Sequence, residues 1–147
     1  MSNLSTAQRG RDLVLDELRR RGAVDIDVSD GAIHVIRATS RTTGKTVNIR
    51  CKTRTAGTWQ ASTKLGTPGT ELADERDFWV FVDLADDSPH YFIAPDWWVR
   101  NDIYQAHQAY LEKHGGRRAR TDLSDHHAIQ PARIAVWHDR WDILDLA

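Results

Sequence analysis

The stretch Thr46–Arg54 reads TVNIRCKTR, and it decides how the middle of this chain folds. Its side chains alternate in character, as in a β-strand with two different faces. The apolar or small side chains share the face expected to meet a core: Val47, Ile49, Cys51 and Thr53. The polar side chains share the other face: Asn48, Arg50, Lys52 and Arg54. Residues of one face recur about every 6.6 Å, so this strand carries three cations in a row.

The row of cations has two interpretations. Like charges at this spacing repel one another, and a nucleic-acid backbone is a line of anions that would offset the repulsion. A strand with one solvated face carries the same charges for solubility and edge protection. The basic residues are sixteen Arg and four Lys. Arg suits forked contacts with phosphate, although coding bias in a GC-rich genome produces the same ratio.

The sequence on either side of this strand predicts a sheet with helices against it. A Gly-containing turn at 43–45 joins it to a strand over 33–39, which predicts a hairpin. The other predicted elements are an opening helix over 5–21, a short strand over 24–28, a buried strand over 78–84, a returning strand over 90–94 and a helix over 95–114. Ser5 and Gln8 have capping-box spacing. Strands in the middle and helices at the ends indicate an α+β fold with one mixed or antiparallel sheet.

Composition limits the class of protein. The chain has 147 residues, of which 40% are hydrophobic and 28% charged, and this is typical of one globular domain. We expect one domain over 1–147, with an irregular tail from about 117 to 147. Its net charge of −1 selects no partner, and no motif names a reaction by itself.

The expected location is the cytoplasm. A lone cysteine, Cys51, excludes a disulfide within the chain and fits a reducing compartment. The first residues do not show a basic segment followed by an apolar one, so no signal peptide is expected. No run approaches the roughly 18 apolar residues of a membrane span, so no membrane partner is expected.

The residues from Arg37 to Thr53 resemble the PD-(D/E)XK nucleases, which are the restriction-endonuclease-like proteins, and in particular their short stand-alone members. The similar segments are 37–40, 44–47 and 49–53. In that superfamily an opening helix carries an acid, the first hairpin strand carries an Asp, and the second carries an acid or Gln, any residue, and then Lys. A tryptophan-containing loop often follows. The resemblance covers about residues 8–95. It implies a central mixed sheet of about four or five strands, flanked by an N-terminal and a C-terminal helix.

Three positions depart from the family pattern. Lys52 matches the family lysine, which positions or polarises the attacking water or stabilises charge on the phosphate. Arg50 stands where the family has an acid, and Val35 stands where the hairpin Asp is expected. Near the usual acid of the helix the chain has Arg11, with Asp12 beside it.

These departures leave two alternatives for the chemistry. Cleavage by this family needs carboxylates that hold a divalent metal. In one alternative Asp12, Asp25 or Asp27 binds Mg²⁺ and Lys52 assists hydrolysis. In the other, cleavage is lost, no cofactor is required, and Arg50 holds the phosphate directly. The missing acids favour the second alternative.

DNA or RNA is the expected partner. The predicted nucleic-acid-binding residues are Arg50, Lys52, Arg54, Trp59 and Lys64. Trp59 lies in a predicted loop over 55–73, where it could stack on a base or could fix the loop to the core. The rival hypothesis is a protein-interaction module or homodimer, motivated by the missing acids, by the adjacent Trp97 and Trp98, and by the aromatic tail.

Overall fold

A computed structural model describes residues 5–29, 35–115 and 126–146 of the chain. Its helices are α1 (Thr6–Arg20), α2 (Asp96–Lys113) and the short α3 (Pro131–Ile134). Its strands are β1 (Ala23–Ser29), β2 (Val35–Ser40), β3 (Thr46–Arg54), β4 (Trp59–Ser62), β5 (Asp77–Asp83), β6 (His90–Pro95) and β7 (His126–Ile129). The mixed α+β class predicted from the sequence is confirmed. Within the described residues, no helix has the length and apolarity needed to cross a lipid bilayer.

The opening helix begins where the sequence predicts. The Ser5 hydroxyl accepts a hydrogen bond from the Gln8 amide at 3.1 Å, and the Gln8 side chain accepts one from the Ser5 amide at 3.1 Å. This reciprocal pair satisfies two amide groups that the first helical turn leaves without a partner. The helix ends at Arg21, and Gly22 follows with a φ of 105°, a conformation that suits glycine.

The main sheet is mixed and has five strands, in the order β1-β2-β3-β5-β6. The hairpin of β2 and β3 is confirmed, with Val35 opposite Arg50 and Thr39 opposite Thr46. Only β3 and β5 pair in parallel among the described strands of this sheet. The crossover between them runs through β4 and a 3₁₀ turn at Thr63–Leu65. The strand β4 pairs with β7 in a separate two-stranded sheet.

Two hydrophobic clusters cover opposite faces of the sheet, and β5 contributes to both. Phe78, Val80 and Val82 pack with the apolar face of β3 and with α1. Trp79 and Phe81 pack with α2 and with the β4–β7 sheet. All five side chains are at most 3% exposed, which confirms the predicted strand buried on both faces.

The C-terminal residues 126–146 pack against the sheet. Residues 126–146 form β7, α3 and two 3₁₀ turns, and Trp141, Leu144 and Leu146 are buried against the α1 side of the sheet. Contacts with residues distant in the sequence hold this segment against the sheet. The remainder of the predicted tail, 117–125, lies outside the described residues.

Candidate functional site

The polar face of β3 lies beside the buried strand β5. The parallel register sets Arg50 next to Trp79, Lys52 next to Phe81, and Arg54 next to Asp83. All three cations are half-buried. A face kept only for solubility would expose its charges fully, so the environment of each cation has to be considered separately.

Arg54 is neutralised within the protein. Its Nη2 donates to Asp83 Oδ2 at 2.7 Å, and the side chains of this pair are 14% and 12% exposed. Its Nη1 donates to the Gly57 carbonyl. The guanidinium carbon lies 5.0 Å from the centroid of the Trp59 ring. Arg54 therefore joins β3, β5 and the loop before β4. Its positive charge is compensated by the Asp83 carboxylate.

Trp59 lies in the core and not on an exposed loop. It is 1% exposed, and its indole Nε1 donates to the Val82 carbonyl at 3.0 Å. Its ring makes edge contacts with Phe81 and Phe92, with centroids 5.4 and 5.9 Å away. The structure therefore agrees with the alternative in which Trp59 fixes the predicted loop segment to the core. Its ring faces are not accessible for stacking on a base.

Arg50 has the least compensated charge environment of the row. Its guanidinium carbon lies 5.7 Å from the centroid of the Trp79 ring, and its Nη1 is buried without a hydrogen-bond partner. Among the described residues, no carboxylate lies within ion-pair distance of it. A buried donor without an acceptor costs about 1–3 kcal/mol, and more when the group is charged. An anionic ligand would remove this cost.

Arg50 lines a cavity of about 250 Å³ that also contains two carboxylates. Asp77 accepts a hydrogen bond from Asn48 Nδ2 at 3.1 Å. Asp96 accepts from Trp79 Nε1 at 2.7 Å and from Arg100 Nε at 2.7 Å. Both acids are thus engaged by other donors. Sequence reasoning missed Asp96 and Arg100, although an Asp and an Arg four residues apart on a predicted helix indicate a pair.

Lys52 is the second uncompensated cation. Burial lowers the pKa of its amine from the usual 10.5, and the adjacent charge of Arg50 lowers it further. No acidic partner of Lys52 is found among the described residues. Arg50 and Lys52 thus have no counter-charge within residues 5–29, 35–115 and 126–146, and together they form the candidate site.

The acids considered as metal ligands lie elsewhere. Asp12 is on α1, with its side chain 53% exposed and 3.9 Å from Arg11 Nε, and α1 packs on the sheet face opposite to Lys52. Asp25 and Asp27 are exposed on the edge strand β1. Two strand spacings, about 10 Å, separate β1 from β3. The structure does not bring these acids to Lys52.

The remaining site predictions concern a metal and Lys64. Among residues 5–29, 35–115 and 126–146, no group of three or more His, Cys, Asp or Glu side chains is placed to hold a metal ion. Lys64 is exposed on the 3₁₀ turn that follows β4. The candidate site therefore consists of Arg50 and Lys52, and the two carboxylates that line the Arg50 cavity, Asp77 and Asp96, are engaged by other donors.

Comparisons of the chain with protein-family models, with curated proteins and with solved structures found no match. The likeness to PD-(D/E)XK nucleases thus rests on the residues quoted from the sequence. What the site can do chemically follows from its own charges and contacts.

Replacement of Lys52 by Met is expected to stabilise the fold at pH 7, by roughly 0.5 kcal/mol. A half-buried ammonium without an acidic partner is desolvated without compensation, and Met keeps most of the packing volume. Because the pKa of Lys52 is lowered in the folded state, the unfolded chain binds more protons between that pKa and 10.5. Wild-type stability therefore rises with pH in this window.

The advantage of the Met variant should accordingly shrink as the pH rises from 7 towards 10.5. Urea denaturation of both proteins at several pH values measures the difference. A difference that stays constant with pH would contradict a desolvated amine at this position.

Proposed function

We propose that this chain binds the phosphate backbone of a nucleic acid through Arg50 and Lys52, and that it does so without cleaving the strand. The observation that carries the proposal is the guanidinium of Arg50, which lines a cavity of about 250 Å³ and whose buried Nη1 has no acceptor. A phosphate oxygen is a strong acceptor for a guanidinium, and the hydrogen bond is assisted by both charges. Lys52 adds a second positive charge about 6.6 Å further along the strand, close to the spacing of successive phosphates.

The register of the hairpin supports this assignment. The resemblance to PD-(D/E)XK nucleases puts the two hairpin acids at the positions of Val35 and Arg50. These two residues are direct partners across β2 and β3, and both line the cavity of about 250 Å³. Replacing a metal-binding pair of acids by Val and Arg would turn a site that attracts cations into one that attracts phosphate.

The order of elements also supports a nuclease-like frame. An opening helix, a hairpin, a segment containing a tryptophan and a further strand occur in the order expected from the family. Arg37 is exposed on β2, opposite Asn48, and is on the same sheet face as Arg50. It extends the positive surface away from α2 and gives a strand of nucleic acid a wider area of contact.

Loss of cleavage follows from the ligand requirements of Mg²⁺, which is held by carboxylates and water. Asp96 is engaged by Trp79 and Arg100, and Asp77 by Asn48. The positive charge of Arg50 in the same cavity opposes a divalent cation. We therefore expect phosphate binding in the absence of Mg²⁺.

A fluorescence-polarisation titration with labelled duplex and single-stranded DNA and RNA, at several salt concentrations, tests the proposal. Two phosphate contacts predict that log Kobs falls with log salt with a slope of about −1.8 for a duplex and about −1.4 for a single strand. Replacement of both Arg50 and Lys52 by Met should bring this slope close to zero. The matched control is Arg19→Met, because Arg19 is 59% exposed on α1, on the other side of the sheet.

Each result has a defined meaning. A slope near zero in the unmodified protein would contradict the phosphate site. Cleavage of the probe with Mg²⁺ or Mn²⁺ on a gel, abolished by Lys52→Met, would show that acids not assigned here support hydrolysis. No binding to any nucleic acid at low salt would favour the protein-interaction alternative. Among the described residues, that alternative would use the exposed Leu72 (55%) and Val136 (66%).

A further inference from the structure

A second cavity, of about 520 Å³, lies at the end of β3 and opens to solvent. It is lined by the first turn of α1 at Thr6 and Ala7, by Cys51–Arg54, by the loop that follows and by the start of β4. Of the described residues that line it, none is acidic. Its two cations are Lys52 and Arg54, and Arg54 is already paired with Asp83.

The amine of Lys52 is half-buried beside this cavity and has no acidic partner among the described residues. Burial and the positive charge of Arg50 both lower its pKa, which favours the neutral form relative to an exposed lysine. Desolvation and a neighbouring cation are the two conditions that activate lysines for attack on carbonyl compounds. Lys45 provides a contrast in the same chain, because its ammonium lies 3.6 Å from the Asp74 carboxylate.

We propose that Lys52 forms an imine with an aldehyde that carries a phosphate group, and that Arg50 holds this phosphate. The inference rests on the proposed function, because it uses the same phosphate site and adds a reaction to it. Arg50 and Lys52 are two residues apart on one face, about 6.6 Å along the strand. This separation suits a carbonyl carbon a few bonds from the phosphorus.

The chemical step balances without a redox partner. The nitrogen lone pair of Lys52 attacks the carbonyl carbon, a C–N bond forms, the π pair of the C=O bond moves to the oxygen, and one proton passes from nitrogen to oxygen to give a carbinolamine. The hydroxyl takes up the second amine proton and leaves as water while the nitrogen lone pair forms the C=N bond of the imine. Two sources share this chemistry: an abasic site within a nucleic acid, where the open sugar is an aldehyde flanked by phosphates, and a free small aldehyde phosphate.

Reductive labelling with pyridoxal 5′-phosphate tests the reaction. The full chain is incubated with the probe near pH 7, the imine is reduced with borohydride, and the modified peptides are mapped over the four lysines, Lys45, Lys52, Lys64 and Lys113. We expect Lys52 to be labelled first. 5′-Deoxypyridoxal, which has no phosphate and cannot close to an internal hemiacetal, should label it about tenfold more slowly, as expected for one charge-assisted contact.

Two variants separate the roles of the two residues. Arg50→Met should remove the preference for the phosphate-bearing probe and leave some labelling of Lys52. Lys52→Arg should abolish labelling at this position while it keeps the charge and, by thermal denaturation, the fold. Labelling that is equal over all four lysines, or fastest at the exposed Lys64, would overturn the proposal.

An oligonucleotide with one abasic site, treated with cyanoborohydride, distinguishes the two sources. A covalent adduct on a denaturing gel, absent with the intact oligonucleotide and with Lys52→Arg, identifies the nucleic acid as the aldehyde. Labelling by pyridoxal 5′-phosphate without an abasic adduct identifies a free aldehyde phosphate. A salt-dependent binding slope without labelling at Lys52 would refute the imine and leave the phosphate site standing. Labelling at Lys52 without nucleic-acid binding would refute the proposed function and leave the imine standing.

Discussion

Trp59→Ala is expected to lower the free energy of unfolding by about 3–5 kcal/mol, the usual cost of deleting a large buried aromatic side chain. The indole is 1% exposed and packs edge-on against Phe81 and Phe92, so its removal leaves a cavity in the second cluster. It also leaves the Val82 carbonyl without its donor. Urea denaturation followed by circular dichroism measures the loss.

The control is Leu72→Ala, because Leu72 is 55% exposed and its truncation should change stability by less than about 0.5 kcal/mol. Trp59→Phe separates a structural role from a binding role. Phe retains a stacking surface and most of the apolar volume, so nucleic-acid affinity should stay within about twofold of the unmodified protein, while stability falls by roughly 1–2 kcal/mol. A Trp59→Ala protein that is as stable as the parent would refute the buried placement.

Asp83→Ala is expected to cost about 3 kcal/mol, because it leaves the guanidinium of Arg54 without its counter-charge in a site where that side chain is 14% exposed. Asp83 Oδ1 also accepts the Ala85 amide at 3.0 Å, and this hydrogen bond is lost in the variant. Removing one partner of a shielded pair is more costly than replacing both by apolar side chains.

A double-mutant cycle therefore provides the sharper test. Arg54→Met combined with Asp83→Leu should be more stable than Asp83→Leu alone, with a coupling energy of about 1–2 kcal/mol. Urea denaturation of the parent, both single variants and the double variant measures this coupling. Arg54→Met should also leave the salt slope of nucleic-acid binding unchanged, since this cation is already compensated. A salt slope that is shallower by about 0.9 in Arg54→Met would show that Arg54 also contacts a phosphate.

The two groups of cations on β3 thus have opposite expected effects on stability. Arg54 stabilises the fold through its pair, whereas Arg50 and Lys52 lack compensation within the described residues. Uncompensated, half-buried charge is retained in proteins most readily where a ligand uses it. The expected gain in stability of Lys52→Met, together with the loss of phosphate binding expected when Arg50 and Lys52 are both replaced by Met, expresses this trade-off.

Much of the local structure follows from short-range patterns. The capping box of Ser5 and Gln8 places the start of α1, and the alternation over 46–54 predicts both faces of β3. Continuous apolar character over 78–82 predicts a strand covered on both sides. These signals lie within a few residues of one another, so no long-range contact is needed to interpret them.

Other features depend on register, which the sequence does not reveal. The parallel pairing of β3 with β5 brings Asp83 to Arg54 from 29 residues away and puts Trp79 beside Arg50. A shift of one residue would move every side chain of β3 to the other face. Arg50, Lys52 and Arg54 looked equivalent in the sequence, because the residues that distinguish their environments lie on β5 and not on β3.

The sequence by itself determined the α+β class, the hairpin of β2 and β3, and a strand face that carries Arg50, Lys52 and Arg54, because periodicity and turn chemistry act over short distances. Only the tertiary structure decided which of these cations is neutralised. It also decided that Trp59 is buried, because β4 is held between the second cluster and β7, more than sixty residues later in the chain. Burial and charge compensation are sums over neighbours from distant segments, and the folded arrangement alone specifies those neighbours.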